Sequence, residues 1–270
     1  MARSLKLMCI LAHPDDESLG MGGTLAKYAK EGIETYLITA TRGERGRFGD
    51  AAVKPEPRVV GEVREAELRA ASKELGIREV HFLDYMDGDL DRADPVEVQR
   101  RIVALLRRIR PDVVLTFGPD GAYGHPDHIA ISQYAAAAVL SAADADYATG
   151  VGGPPHRVSK FYFLTWRKAK WDAYQAALKK LVVKVDGVER QASPWPDWAV
   201  TTVLQTGEVW ETVWRAVCCH RTQMSIYAQL EKLSPQHHLE LWGTQEYYRV
   251  FSSVNGGRNI EADLFEGLRG

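Results

Sequence analysis

Residues 5–12 are almost wholly apolar, the pattern of a strand covered on both faces rather than one alternating between core and water. Residues 35–41, 80–85, 113–117 and 161–166 repeat that kind of short apolar, often β-branched run. Between the runs lie stretches with apolar residues at helical spacing. They predict helices over 18–30, 58–75, 95–110 and 126–143. The third opens with Asp94-Pro95, a capping side chain followed by a proline suited to the first helical position. Its stripe is Val98, Ile102, Leu105, Leu106 and Ile109. Strand–helix alternation over about 165 residues predicts a Rossmann-like, doubly wound and mostly parallel α/β sheet. Beyond it the pattern is less regular. Short strands are expected at 181–185 and 200–204, and helices at 207–219 and 225–233. With no linker-like composition and no repeat, one domain over 1–270 is expected. Residues 1–166 form its Rossmann-like core and 167–270 a C-terminal α+β elaboration.

Composition narrows the class. Hydrophobic residues make up 45% of 270 and charged residues 26%, which fits a globule and excludes collagen, coiled coil and long disordered tracts. Lys+Arg 34 against Asp+Glu 36 leaves a net charge of -2, so no bulk attraction to nucleic acid or to an anionic membrane is expected. The basic start and apolar stretch of residues 1–13 is too short for a signal peptide and reads as the first strand. Cys9, Cys218 and Cys219 are odd in number, two of them adjacent, and imply no disulfide framework. A cytoplasmic address follows. Whether the chain forms a homo-oligomer is left open. Two long connections, 42–57 and 145–159, stand out, because long loops in compact domains are often functional.

Two motifs carry the chemistry. His13-Pro14-Asp15-Asp16-Glu17 follows the first strand, and Tyr123-Gly124-His125-Pro126-Asp127-His128 follows the fourth. In open α/β sheets ligands bind at the carboxyl ends of strands, where strand order reverses. If the fourth strand lies beside the first, two segments about 110 residues apart meet there. Imidazole and carboxylate without a thiolate suit Zn2+ or another first-row cation such as Fe2+. His13, Asp16 and His128 supply three ligands and leave a position for water. Asp15 is the candidate general base. His125 could donate to a developing oxyanion or protonate a leaving amine, and Tyr123 could add a further donor. Such a site hydrolyses an amide or ester.

These motifs resemble the LmbE/PIG-L superfamily of zinc-dependent de-N-acetylases. Thr41-Arg42-Gly43-Glu44, Arg64, Asp87 in Tyr85-Met86-Asp87-Gly88, and His220-Arg221-Thr222-Gln223 are similar to further elements of that superfamily. The resemblance implies removal of acetyl from an N-acetylglucosamine-containing small molecule: a thiol-precursor glycoside, a glycolipid or a chitooligosaccharide. It implies His13, Asp16 and His128 as ligands and Asp15 as base, with Arg64 and Asp87 contacting the sugar. Glu17, Arg42 and His220 join them as expected substrate contacts. Asp87-Gly88-Asp89 departs from the more usual Asp-Ser-Gly. The superfamily also includes amidases acting on thiol conjugates. A receiver-like phosphoacceptor domain, with Asp84 or Asp87 as acceptor, is the alternative from another class, and it leaves His13, His125 and His128 unexplained.

Overall fold

The computed structural model describes residues 4–147, 153–178, 182–185, 187–191, 193–257 and 259–269. In chain order the elements are β1 (Lys6–Leu11), α1 (Asp16–Lys30), β2 (Glu34–Thr41), α2 (Pro57–Leu75), β3 (Glu79–Tyr85), α3 (Pro95–Ile109), β4 (Val113–Phe117), the short turn of helix α4 (Gly121–Gly124) and α5 (Pro126–Ala142). They continue with β5 (Lys160–Thr165), α6 (Lys168–Leu178), β6 (Val182–Val185), β7 (Val188–Gln191), β8 (Thr202–Gln205), α7 (Trp210–Cys219), α8 (Met224–Tyr227), α9 (Pro235–Trp242) and β9 (Thr244–Ser252).

Seven strands form one sheet in the order β3-β2-β1-β4-β5-β9-β8. β1 pairs in parallel with both β2 and β4, so the order reverses between β1 and β4, beside the two motifs. Right-handed crossovers place α1 and α2 on one face and α3 and α5 on the other. The central strands are apolar throughout because both faces are covered: Leu7 to Leu11 and Val113 to Leu115 are all fully buried. At the start of α3 the Asp94 side chain accepts from Val96 N–H at 2.9 Å, ahead of Pro95. α2 ends at Gly76 with φ 74, where an added Cβ would also come within 2.7 Å of the Ala29 Cβ. Among the described residues no helix is long and apolar enough to cross a membrane.

The elaboration departs from expectation. β9 inserts antiparallel beside β5, and β8 pairs with β9, so the C-terminal part extends the same sheet. Leu204, Tyr247, Leu264 and Phe265 join the main core. Neither β9 nor α6 nor α9 was expected. β9 hides from period-two reading because Gln245 and Glu246 are buried at adjacent positions. Glu246 is held there by Arg167. The helix expected at 225–233 breaks into α8 and a 3-10 turn at Leu230–Lys232. The strand expected at 181–185 is β6, the first arm of a separate hairpin with β7; residue 181 lies outside the described residues. Residues 148–152 of the second long loop do as well.

Candidate metal and catalytic site

The chain leaves β1 into a tight corner. Asp15 sits at φ 104, ψ -25, a conformation rare for a residue with a side chain and costing on the order of 1–3 kcal/mol. Asp16 opens α1, and its carboxylate turns back to accept from His13 N–H at 2.8 Å and Ala12 N–H at 3.3 Å. The chain leaves β4 into a second corner, with positive φ at Gly121, Ala122 and Gly124. His125 then caps α5, its Nδ1 accepting from Asp127 N–H at 3.2 Å. His128, one turn in, stacks on Phe117 with ring centroids 4.0 Å apart.

The two corners meet as the topology requires. His13 Nδ1 lies 3.1 Å from His128 Nε2 and 3.6 Å from Asp16 Oδ2, and His128 Nε2 lies 3.3 Å from Asp16 Oδ1. A tetrahedral ion with ligands at about 2.0–2.1 Å sets ligand atoms about 3.3–3.4 Å apart. The two ring nitrogens lie close to that separation, and each faces a different oxygen of Asp16. On its other side, His13 Nε2 is 3.0 Å from Asp127 Oδ2 and 3.2 Å from Asp87 Oδ1. A proton on Nε2 therefore leaves the Nδ1 lone pair free for a cation. Asp127 is itself fixed by N–H groups of Gly88 at 2.7 Å and Leu90 at 3.1 Å.

Electrostatics favour positive charge at this point. Burial by itself would lower the His13 pKa, but the Asp87, Asp127 and Asp16 carboxylates lift it well above the usual imidazole value. Burial opposes ionisation of Asp16 too, yet His128 and His13 hold its pKa well down. His125 differs: burial, then His13 and His128, bring it down to about 4, so it is neutral and carries its proton on Nε2. The donor set and its surroundings fit a divalent cation. The ring nitrogens of His13, His125 and His128 also lie within 4.8 Å of one another, and His13, Asp87 and Asp127 form a second such group.

Asp15 stands beside this cluster. Its Oδ2 accepts from Tyr227 OH at 3.0 Å and Arg64 Nη2 at 3.1 Å. Its N–H donates to Glu17 Oε2 at 3.0 Å, and Glu17 Oε1 is 2.7 Å from His220 Nε2. Burial raises the Asp15 pKa above the usual carboxylate range, against the pull of Arg64.

The expected substrate contacts are all bonded to other groups of the protein. Glu17 and His220 are both fully buried and bonded to each other, and Glu17 accepts from Asp15 N–H. Arg42 is taken up by Glu65 and Asp84 and lies over the Phe82 ring. Arg64 spends its guanidinium on Gly43 O, Pro14 O and Asp15. Asp87 faces His13 and accepts from Arg45 N–H at 3.0 Å. Tyr123 reaches the cluster, its ring 5.1 Å from that of His128. Sequence reasoning gave Asp127 no orienting role, although it sits inside the second motif. It missed Tyr227 altogether, a lone tyrosine 212 residues from its partner.

Known proteins resemble this chain over most of its length. The sequence profile of the PIG-L family, GlcNAc-PI de-N-acetylase, matches residues 8–139. A Kineococcus radiotolerans 1D-myo-inositol 2-acetamido-2-deoxy-alpha-D-glucopyranoside deacetylase is 33% identical over 97% of this chain and 83% of its own length. A protein of the same name from Rhodococcus jostii is 35% identical over 97% of this chain and 98% of its own. The crystal structure of the conserved protein TT1542 from Thermus thermophilus superposes with a TM-score of 0.65 at 27% identity, covering 93% of this chain and 97% of that one. The chain belongs to the PIG-L family.

Proposed function

We propose that the protein is a metal-dependent amidohydrolase that removes the N-acetyl group from an N-acetylglucosamine joined to a small aglycone. The observation that carries this reading is the convergence of His13 Nδ1, His128 Nε2 and the Asp16 carboxylate beside a buried Asp15. The relatives' activity on an acetamido-glucopyranosyl inositol supports a polyol glycoside as substrate.

His13, Asp16 and His128 would hold the cation, zinc being the expected occupant. When bound, it supplies Lewis acidity to the amide carbonyl and to water. Asp15 takes the proton of the attacking water as oxygen bonds to the carbonyl carbon. The neutral His125 donates its Nε2–H to the negative charge growing on the carbonyl oxygen, and the Tyr123 hydroxyl adds a second donor. The C–N bond then breaks, Asp15 returns its proton to the departing amine, and acetate and the free amino sugar leave. A protonated His125 is not needed, since its Nδ1 already accepts from Asp127 N–H.

Acetate release from 1D-myo-inositol 2-acetamido-2-deoxy-α-D-glucopyranoside, with metal-loaded protein, tests the reading. An Asp15→Asn variant should keep its metal and lose about 10³-fold in kcat, within the range of general base catalysis. Full activity in that variant would remove Asp15 as base.

A further inference from the structure

The corner after β4 carries Tyr123 and His125 on strained backbone. Ala122 has φ 64, ψ -54, outside the left-handed helical well and near the rarely occupied γ-turn region. Gly121 and Gly124 flank it at φ 63 and 83. Within the corner, Gly121 N–H donates to Gly118 O at 2.9 Å and Gly124 N–H to Asp120 O at 3.0 Å. Such a conformation persists only where surrounding structure over-determines it.

The bracing comes from the C-terminal elaboration. Arg190, on β7, donates from Nη1 to Gly124 O at 2.6 Å. Its methylenes lie along Gly124, where an added Cβ would sit 3.4 Å from Arg190 Cδ. Trp195, just past the hairpin, donates from Nε1 to Asp120 Oδ2 at 3.0 Å. The indole lies against Gly118, where a Cβ would come within 2.8 Å of Cζ2. Trp195 is anchored in turn by its own N–H to Trp166 O at 2.8 Å, beyond the end of β5. Arg190 and Trp195 thus grip the two ends of the corner, at residues 124 and 120.

A narrow cleft, with space for about one water molecule, lies against the corner. Asp120, Ala122, Leu164, Thr165, Trp166 and Trp195 line it. Two buried oxygens, Asp120 Oδ1 and Thr165 Oγ1, have no hydrogen-bond partner. A corner with strain within it and unpartnered buried oxygens beside it needs its ends held if Tyr123 and His125 are to stay over the ligand cluster.

We propose that Arg190 and Trp195 are positioning residues for deacetylation, clamping the 120–125 corner so that Tyr123 and His125 meet the amide oxygen. This rests on the deacetylase reading above. Neither residue touches the ligand cluster, so the clamp acts on turnover rather than on metal or substrate affinity.

The test is Arg190→Ala, Arg190→Lys and Trp195→Phe in metal-loaded full-length protein, with acetate release as the assay. Arg190→Ala should lower kcat about 10- to 100-fold, the scale of an ångström-size misplacement, with KM within about twofold. Metal content and thermal midpoint should hold. Arg190→Lys, which restores one donor, should recover most of the loss. Trp195→Phe keeps the ring and loses only the N–H, so about a threefold drop is expected. In a Tyr123→Phe background the Arg190→Ala penalty should shrink, because the clamp works through Tyr123. An unchanged kcat, an undiminished penalty in that background, or a loss explained by metal content or unfolding would overturn the proposal. If the parent protein turns over no N-acetylglucosaminide, the deacetylase reading fails separately. The clamp then stands or falls on a crystal structure of Arg190→Ala: Ala122 abandons its positive φ if Arg190 holds it, and keeps it if not.

Discussion

The two corners that build the site are held in different ways. The corner after β1 is set in the core. Asp15 is gripped by Arg64, Tyr227 and, through its backbone, Glu17, which leans on a fully buried His220. The corner after β4 is held at the molecule's edge, by Arg190 of a hairpin outside the main sheet and by Trp195 beyond it. Trp198, three residues further on, is 83% exposed. The contrast follows the chemistry. A general base must stand in one place while it takes up a proton and gives it back. Donors to an oxyanion must be correct only where charge develops.

The largest effect should separate the ligands from both corners' supports. His128→Ala removes one of three ligand atoms and should abolish both bound metal and activity. Retention of one equivalent of metal with near-normal turnover would show that the ion is held elsewhere. The next effect is smaller and sharpens the difference. Tyr227→Phe removes one donor from the Asp15 carboxylate, and a hydrogen bond to a charged group contributes about 1.5–3 kcal/mol. A roughly 10- to 100-fold fall in kcat/KM is expected. Because Tyr227 stabilises the ionised form, its loss should also move the acid limb of the pH profile upward. Arg190→Ala lowers turnover without moving that limb. Matching pH shifts in the two variants would erase the distinction between the corners.

The smallest catalytic effect is expected far from either corner. Glu261 closes the C-terminal segment against the sheet, bonded to Lys160 at 2.6 Å, Tyr162 and Thr202 at 2.8 Å each, and Asn255 at 2.6 Å. Burial would raise its pKa, but Lys160 and the other donors lower it to about 2. Its stabilising contribution is therefore complete above the unfolded value of about 4.5. It drains away as pH falls from there toward 2. Urea midpoints should show the parent's advantage over Glu261→Gln narrowing between pH 5 and pH 3. An advantage that is constant across this range would contradict the assignment. At pH 7 a folded Glu261→Gln protein should turn over substrate normally.

The sequence made one half of this arrangement legible. Parallel core strands announce themselves as continuous apolar runs, so β1 to β5 and the switch between β1 and β4 could be read. The meeting of the two motifs could be read as well, since both concentrate imidazole and carboxylate within a few residues of a strand end. The supports could not. Tyr227, Arg190 and Trp195 act across long separations and sit in local sequence with no periodicity to mark them. The bond between Glu17 and His220 could not be read either, because 203 residues separate them. β9 escaped because buried Gln245 and Glu246 break the alternation that marks a strand.

One cation is expected to join the two corners. Anomalous diffraction from crystals of the metal-loaded protein tests it most directly. A single peak about 2.0–2.2 Å from His13 Nδ1, His128 Nε2 and an Asp16 oxygen is expected, with His13 Nε2 still on Asp127. A peak between His13, Asp87 and Asp127, or one bound by ligands of a single corner, would contradict it.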